Sequence, residues 1–396
     1  MTTSPEPQLS GAQQHGPLGR RWREEVEATQ EGVLPSGSMA VSCSAPLGVG
    51  GLGRHLKEIV DALERRAQPT LCICGSTRES DPQPRSRKQG VPDLATLLVR
   101  APIPLSPGWR TRAFMVEFDA YAALRLPAAE HLIAFNGQAL GQFTAARRAG
   151  FTSLALVSAN SHLRRVARQH AQAHRQYPLE GSWATHLVKR NLREYTQADR
   201  IYVGSEYTRE SFLEEGFSDE SLSRFQFTPD PRYEPDSTRQ SAETFNIVFV
   251  GSLSVPKGVP LLVDAVRRLP FADIRLVLVG GWATRGMRRF IETACAEDPR
   301  ITSGPGDPLP HLRAASLYVH PSYEDGFAYA PAEALACGVP VIVSNDTGMK
   351  DLIDRGRNGL VLPTGDMAVL TEAIEAAYRG ELLSPRGPTV RRPSEG

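Results

Sequence analysis

At 396 residues the chain is too long for one small core, and its length predicts two domains. Lys plus Arg number 45 against 44 Asp plus Glu, a balance that excludes a global field for nucleic acid. No apolar run reaches the ~18–20 residues of a membrane span and no apolar signal core opens the chain, so a cytoplasmic protein is expected.

Residues 1–38 are rich in Pro, Gly, Gln and Ser and read as a disordered or appended segment, with an isolated short helix around residues 22–28. From Met39 onward strands and helices alternate. A strand at 40–44 leads to a helix with Leu56, Ile59, Val60 and Leu63 at helical spacing, then a strand at 70–74. A polar Arg/Ser/Pro loop near 78–92 precedes strands at 131–135 and 153–158, a helix near 183–198 and a strand at 200–204. The stretch 229–243 reads as a linker. A second alternating unit, 244–380, starts with the strand Phe245-Asn246-Ile247-Val248-Phe249-Val250, and its first helix carries Leu261, Leu262, Ala265, Val266 and Leu269. A helix pattern at 367–378 and a Pro/Arg/Ser tail, 381–396, read as disordered, complete the chain. Such alternation predicts two domains, 39–228 and 244–380, each with a parallel sheet covered on both faces. Five cysteines lack Cys-x-x-Cys spacing and fit buried thiols in a reducing compartment.

Chemistry gathers where strands end. An apolar strand, Leu317-Tyr318-Val319-His320, runs into Glu324-Asp325-Gly326-Phe327-Ala328, and a helical pattern follows from Pro331 to Gly338. Asp325 and Glu333 stand on either side of that joint. The backbone N–H groups of Gly326, Phe327 and Ala328 lead into the helix start, where amides and the helix dipole attract an anion. Two carboxylates beside an anion site suit a ligand with hydroxyls and phosphates, as in a nucleotide sugar. Lys257, in Gly251-Ser252-Leu253-Ser254-Val255-Pro256-Lys257-Gly258, can set its ammonium on a diphosphate. Gly50 and Gly51, in Gly48-Val49-Gly50-Gly51-Leu52-Gly53, let backbone approach a ligand closely. His170 and His174 are four apart on a helix, but no Glu or third ligand stands near, so no metal site is expected.

The run from Glu324 to Pro340, continuing through Val341-Ile342-Val343-Ser344 and Asn358-Gly359-Leu360-Val361, resembles the acidic-x7-acidic signature of family-4 retaining glycosyltransferases of the GT-B fold. The resemblance spans about residues 39–379 and is strongest from Phe245 onward. It implies two Rossmann-like domains facing across a cleft and transfer of a sugar from a nucleotide-sugar donor with retention of configuration. Asp325 would bind sugar hydroxyls, Glu333 ribose hydroxyls and Lys257 the diphosphate. Gly50 and Gly51 would face the donor across the cleft, Gly304 would lie near the base, and His162 would meet the sugar or acceptor. Ser252 stands where the family usually has Arg. Members commonly finish with long helices returning to the first domain, a pattern absent here. No cofactor or required metal is implied. The acceptor, whether saccharide, lipid-linked or small molecule, is not legible. Arg164, Arg165, Arg168 and Arg175 on one segment raise a weak peripheral membrane contact as an expectation. Two further readings stay open: a nucleotide-sugar-binding scaffold without activity, and another GT-B enzyme such as an epimerase or phosphorylase.

Overall fold

The computed structural model describes residues 20–75, 87–90, 107–236 and 244–381. Its strands form two sheets. The first contains β1 (Met39–Cys43), β2 (Thr70–Cys74), β3 (Arg87–Gly90), β4 (His131–Phe135), β5 (Ser153–Ser158), β6 (Arg200–Val203) and β7 (Leu222–Arg224), in the order β3-β2-β1-β4-β5-β6-β7. The second contains β8 (Phe245–Val250), β9 (Ile274–Val279), β10 (Ile301–Gly304), β11 (Leu317–His320), β12 (Val341–Ser344) and β13 (Gly359–Leu362), in the order β10-β9-β8-β11-β12-β13. All pairings within both sheets are parallel. β1, β11 and β12 are buried at every residue, as strands covered on both faces must be. In each sheet the order reverses beside the first strand, between β1 and β4 and between β8 and β11. Ligands of open parallel sheets gather at such switch points, beyond the carboxyl ends of the strands.

The helices are α1 (Arg20–Val33), α2 (Gly50–Arg65), α3 (Pro107–Ala123), α4 (Leu140–Arg148), α5 (Leu163–Gln176), α6 (Val188–Gln197), α7 (Glu206–Leu213), α8 (Val259–Arg268), α9 (Arg285–Glu297), α10 (Pro308–Ala314), α11 (Tyr329–Ala336) and α12 (Met367–Tyr378). Leu56, Ile59, Val60 and Leu63 form the buried face of α2. Leu261, Leu262, Ala265 and Val266 do the same for α8. β3 falls inside the stretch expected to be a polar loop. α3 escapes the periodicity because its apolar residues are spread round the helix rather than gathered on one face.

The expectation of a disordered or isolated leading segment is corrected from Arg20 on. α1 docks on the first domain through buried Val26, and Leu34 just beyond it is buried too. Gln30 Nε2 donates to the Gln226 carbonyl at 2.7 Å and to Glu58 Oε2 at 3.0 Å. Arg66 donates to the carbonyls of Glu31 and Leu34, which end the helix. Residues 1–19 and the tail from 382 lie outside the described residues.

The two domains meet along a seam closed in several places, among them the start of α7, where the Glu206 amide donates to Asp351 at 2.8 Å. α2 packs on α11. The loop after β5 grips the loop after β11. The end of α5 and the residues after it cross to the second domain: Tyr323 donates to Gln176 at 2.5 Å, Tyr177 to Asp264 at 3.0 Å, and Glu180 accepts from the Val255 amide at 2.7 Å and Thr284 Oγ1 at 2.9 Å. Closure therefore draws on a first-domain helix.

Candidate active site

The second domain brings Lys257 and Asp325 together from the two loops at its switch point. Gly258 has φ +70, and a Cβ there would stand 2.0 Å from the Pro321 carbonyl oxygen, so glycine is required for the loop after β8 to lie against the loop after β11. That packing sets Lys257 Nζ 2.5 Å from Asp325 Oδ2. His320, the last residue of β11, places Nε2 3.1 Å from the same oxygen. Burial opposes ionisation of Asp325, but Lys257 and His320 outweigh it and hold the carboxyl well below the usual range. Its backbone is fixed as well: the Asp325 amide donates to the Asp346 carbonyl and the Gly348 amide donates to the Asp325 carbonyl.

Glu333 lies on α11, buried; desolvation raises its pKa and so disfavours its ionisation, and Arg54 opposes that shift. Arg54 Nη2, from the first turns of α2, is 2.5 Å from Glu333 Oε1, and its guanidinium lies 3.8 Å from the Tyr329 ring centroid. Tyr318, fully buried on β11, donates to the Val250 carbonyl at 3.3 Å, and burial, with Glu333 and Asp325 adding to it, pushes its phenol well up. Gly50 and Gly51 stand exposed, with nothing in the space that a Cβ would fill at either. Ser252 is exposed at the end of β8. Gly304, at the end of β10, is open in the same way, and its carbonyl accepts from the Gly280 amide at 3.0 Å.

Two expectations do not match this geometry. Gly326, Phe327 and Ala328 are buried, and a Cβ on Gly326 would stand 2.3 Å from the Ala159 carbonyl oxygen, so this backbone lies under the first domain. The Gly326 carbonyl accepts from Ser205 at 2.6 Å. His162 does not join the acids. Its ring is buried among Tyr195, Phe212 and Phe217, with centroids 4.9, 5.1 and 5.9 Å away. Nδ1 accepts from the Arg164 amide as the cap of α5, and burial pushes the ring down to about 4. Asn160, two residues earlier, reaches the acidic loop instead: its Nδ2 donates to Glu324 Oε2 at 3.0 Å, and the Ser161 amide donates to Glu324 Oε1 at 2.9 Å.

The structure adds residues that the sequence reading left without a role. Glu58, one turn beyond Arg54 on α2, accepts from Tyr329 at 2.7 Å, from the Thr228 amide at 2.9 Å and from Gln30 at 3.0 Å. His55 stacks on Phe227 with centroids 3.7 Å apart. The signal was present in the helical spacing of Arg54 and Glu58, which share a face, but not the identity of what they face. In the arginine run, Arg164 and Arg168 pair with Glu215 at 2.6 and 3.4 Å, and Arg165 pairs with Glu214, so two acids offset part of its charge. Among the described residues no cluster of three or more His, Cys, Asp or Glu is arranged to hold a metal, and no helix is long and apolar enough to cross a membrane.

Comparisons with known proteins agree with this architecture. Residues 244–379 match the family model described as glycosyl transferases group 1. A D-inositol 3-phosphate glycosyltransferase of Pseudarthrobacter chlorophenolicus is 33% identical over 146 residues, 34% of this chain and 34% of that protein. The sequence match thus spans about a third of the length of that curated relative. Solved structures match far more of the chain. Sucrose-phosphate synthase from Thermosynechococcus elongatus has a TM-score of 0.67 at 19% identity, covering 89% of this chain and 92% of that one. Anabaena Alr3699/HepE in complex with UDP-glucose has a TM-score of 0.63 at 17% identity, covering 89% and 93%. The chain therefore has the GT-B fold of glycosyltransferases, and its second domain matches the model of glycosyl transferases group 1.

Proposed function

We propose that the protein transfers a sugar from a nucleotide-sugar donor to an acceptor, with retention at the anomeric carbon. The observation that carries this reading is the Lys257–Asp325 pair at the switch point of the second sheet, with Glu333 on the following helix held by Arg54 near the open glycine start of α2. The UDP-glucose complex of a protein with this fold supports a nucleotide-sugar ligand.

As the glycosidic bond breaks, positive charge develops on the sugar and negative charge on the departing diphosphate. Lys257 meets the diphosphate, and electrostatic stabilisation of developing charge is the largest contribution such a site can make. Asp325, held ionised by Lys257 and His320, orients the sugar hydroxyls. Glu333 accepts from the ribose hydroxyls. The acceptor hydroxyl attacks the anomeric carbon directly as the bond to the diphosphate breaks, so no side chain need serve as nucleophile, and the leaving phosphate takes the acceptor's proton. With a lysine in the charge-neutralising role, turnover is expected to survive chelation of divalent ions. The acceptor is a saccharide, a lipid-linked sugar or a small molecule.

The test is mass spectrometry of the purified protein with UDP-, GDP- and ADP-sugars, together with titration of the matching free nucleotide. Glu333→Ala should weaken nucleotide binding by about 1.5–3 kcal/mol, the range for a hydrogen bond to a charged group. Asp325→Ala should cut donor hydrolysis and transfer much more than nucleotide affinity, since its partner is the sugar. A wild-type protein that neither binds nor turns over any of these donors sinks the proposal. Tight donor binding without turnover would instead favour the scaffold reading.

A further inference from the structure

We infer that Arg54 is the second diphosphate cation of the donor site, supplied by the first domain, and that its contact with Glu333 is a placeholder which the donor's ribose displaces. The inference rests on the nucleotide-sugar reading of the same seam.

A diphosphate presents more negative charge than one lysine offsets, and Lys257 is already engaged by Asp325. Ser252 supplies no charge. The arginines that bear on Glu333 are Arg54 and Arg232. Arg232 is anchored elsewhere, 2.9 Å from Asp307 and 3.0 Å from the Tyr233 hydroxyl. Arg54 stands one turn into α2, whose first two residues, Gly50 and Gly51, are open.

The contact itself has the character of a placeholder. Guanidinium and carboxylate pair best through two parallel N–H···O bonds. Here Nη2 and Oε1 approach to 2.5 Å, yet both are buried atoms with no aligned hydrogen bond. A ribose hydroxyl would give the carboxylate a proper donor, and phosphate oxygens would give the guanidinium proper acceptors. The Arg54 side chain is 27% exposed against 2% for Glu333, so the arginine is the member free to move. Besides the Glu333 contact it has the Tyr329 face to leave, a cation–π contact.

The experiment compares a nucleoside with its diphosphate. Uridine and UDP, guanosine and GDP, and adenosine and ADP are titrated calorimetrically into wild type, Arg54→Gln and Arg54→Lys. For the pair that wild type binds, Arg54→Gln should weaken the diphosphate roughly tenfold or more while leaving the nucleoside unchanged or tighter, because Glu333 is released. The salt dependence of diphosphate binding should shrink in the same variant. Ser252→Arg added to Arg54→Gln should restore diphosphate affinity. Should Arg54→Gln fail to fold, Arg54→Lys is read: nucleoside affinity unchanged or raised, diphosphate affinity lowered by less than tenfold. Equal losses for nucleoside and diphosphate would make Arg54 a structural latch and overturn the inference. So would a selective diphosphate loss in Arg232→Ala with Arg54→Gln silent. If wild type binds none of the six probes, the donor-site reading itself falls.

Discussion

Glu58 offers a pH-dependent test of how the domains are joined. It is half-buried where α1, Thr228 and α11 converge, and loss of water around it pushes its carboxyl up to about 7 despite donors from Tyr329, Thr228 and Gln30. Below about pH 4.5 the folded and unfolded chains both hold the proton. Between there and pH 7 the unfolded chain releases it while the folded chain keeps it, so stability falls as pH rises through this window. The rise from 4.5 to about 7 corresponds to about 3 kcal/mol at most. At roughly 2–4 °C per kcal/mol for a domain of this size, that is on the order of 6–12 °C in midpoint. Glu58→Gln removes the titration and keeps an acceptor for the Thr228 amide. Thermal midpoints of both proteins are measured from pH 4.5 to 8. The wild-type curve should fall relative to the variant between pH 5 and 7 and run parallel above 7.5. Other buried acids, such as Glu194, also pushed up to about 7, act equally in both proteins and cancel. Parallel curves across the whole range would refute the reasoning.

Two further predictions follow from the seam and the core. His162→Ala should lower stability by about 2–4 kcal/mol, since it leaves a void among Tyr195, Phe212 and Phe217 and removes a helix cap, with nucleotide affinity unchanged; weakened binding at intact stability, by calorimetry and denaturation, would return His162 to the site. Gly326→Ala should force the domains apart, because its Cβ would meet backbone of Ala159 and Asn160, and small-angle scattering should report a larger radius of gyration.

The second domain was legible because its evidence is local. β8, β9 and β11 are short buried apolar runs, and Lys257, Asp325 and Glu333 each follow a strand at a spacing readable along the chain. His162 was misread because its position beside a strand end said nothing about which way the ring turns. Asn160 points to the acidic loop, whereas His162, already at the start of α5, points into the core. The partners of the arginine run were hidden for a similar reason. Its acids lie beyond α7, distant in sequence, so only the fold brings the charges together.

What remained hidden is how the halves are coupled, and that coupling bears on the chemistry. Glu180 of the first domain accepts from the Val255 amide, two residues before Lys257. Arg54 of the same domain holds Glu333. Any motion that separates the domains must take Glu180 from the lysine loop and Arg54 from Glu333 together. Loop and acid are therefore set by one coordinate, the separation of the sheets. A donor that displaces Arg54 from Glu333 removes one tie across the seam while Glu180 and Gln176 keep the others, so donor entry need not open the whole interface. A local exchange of partners at the mouth of the glycine loop is enough.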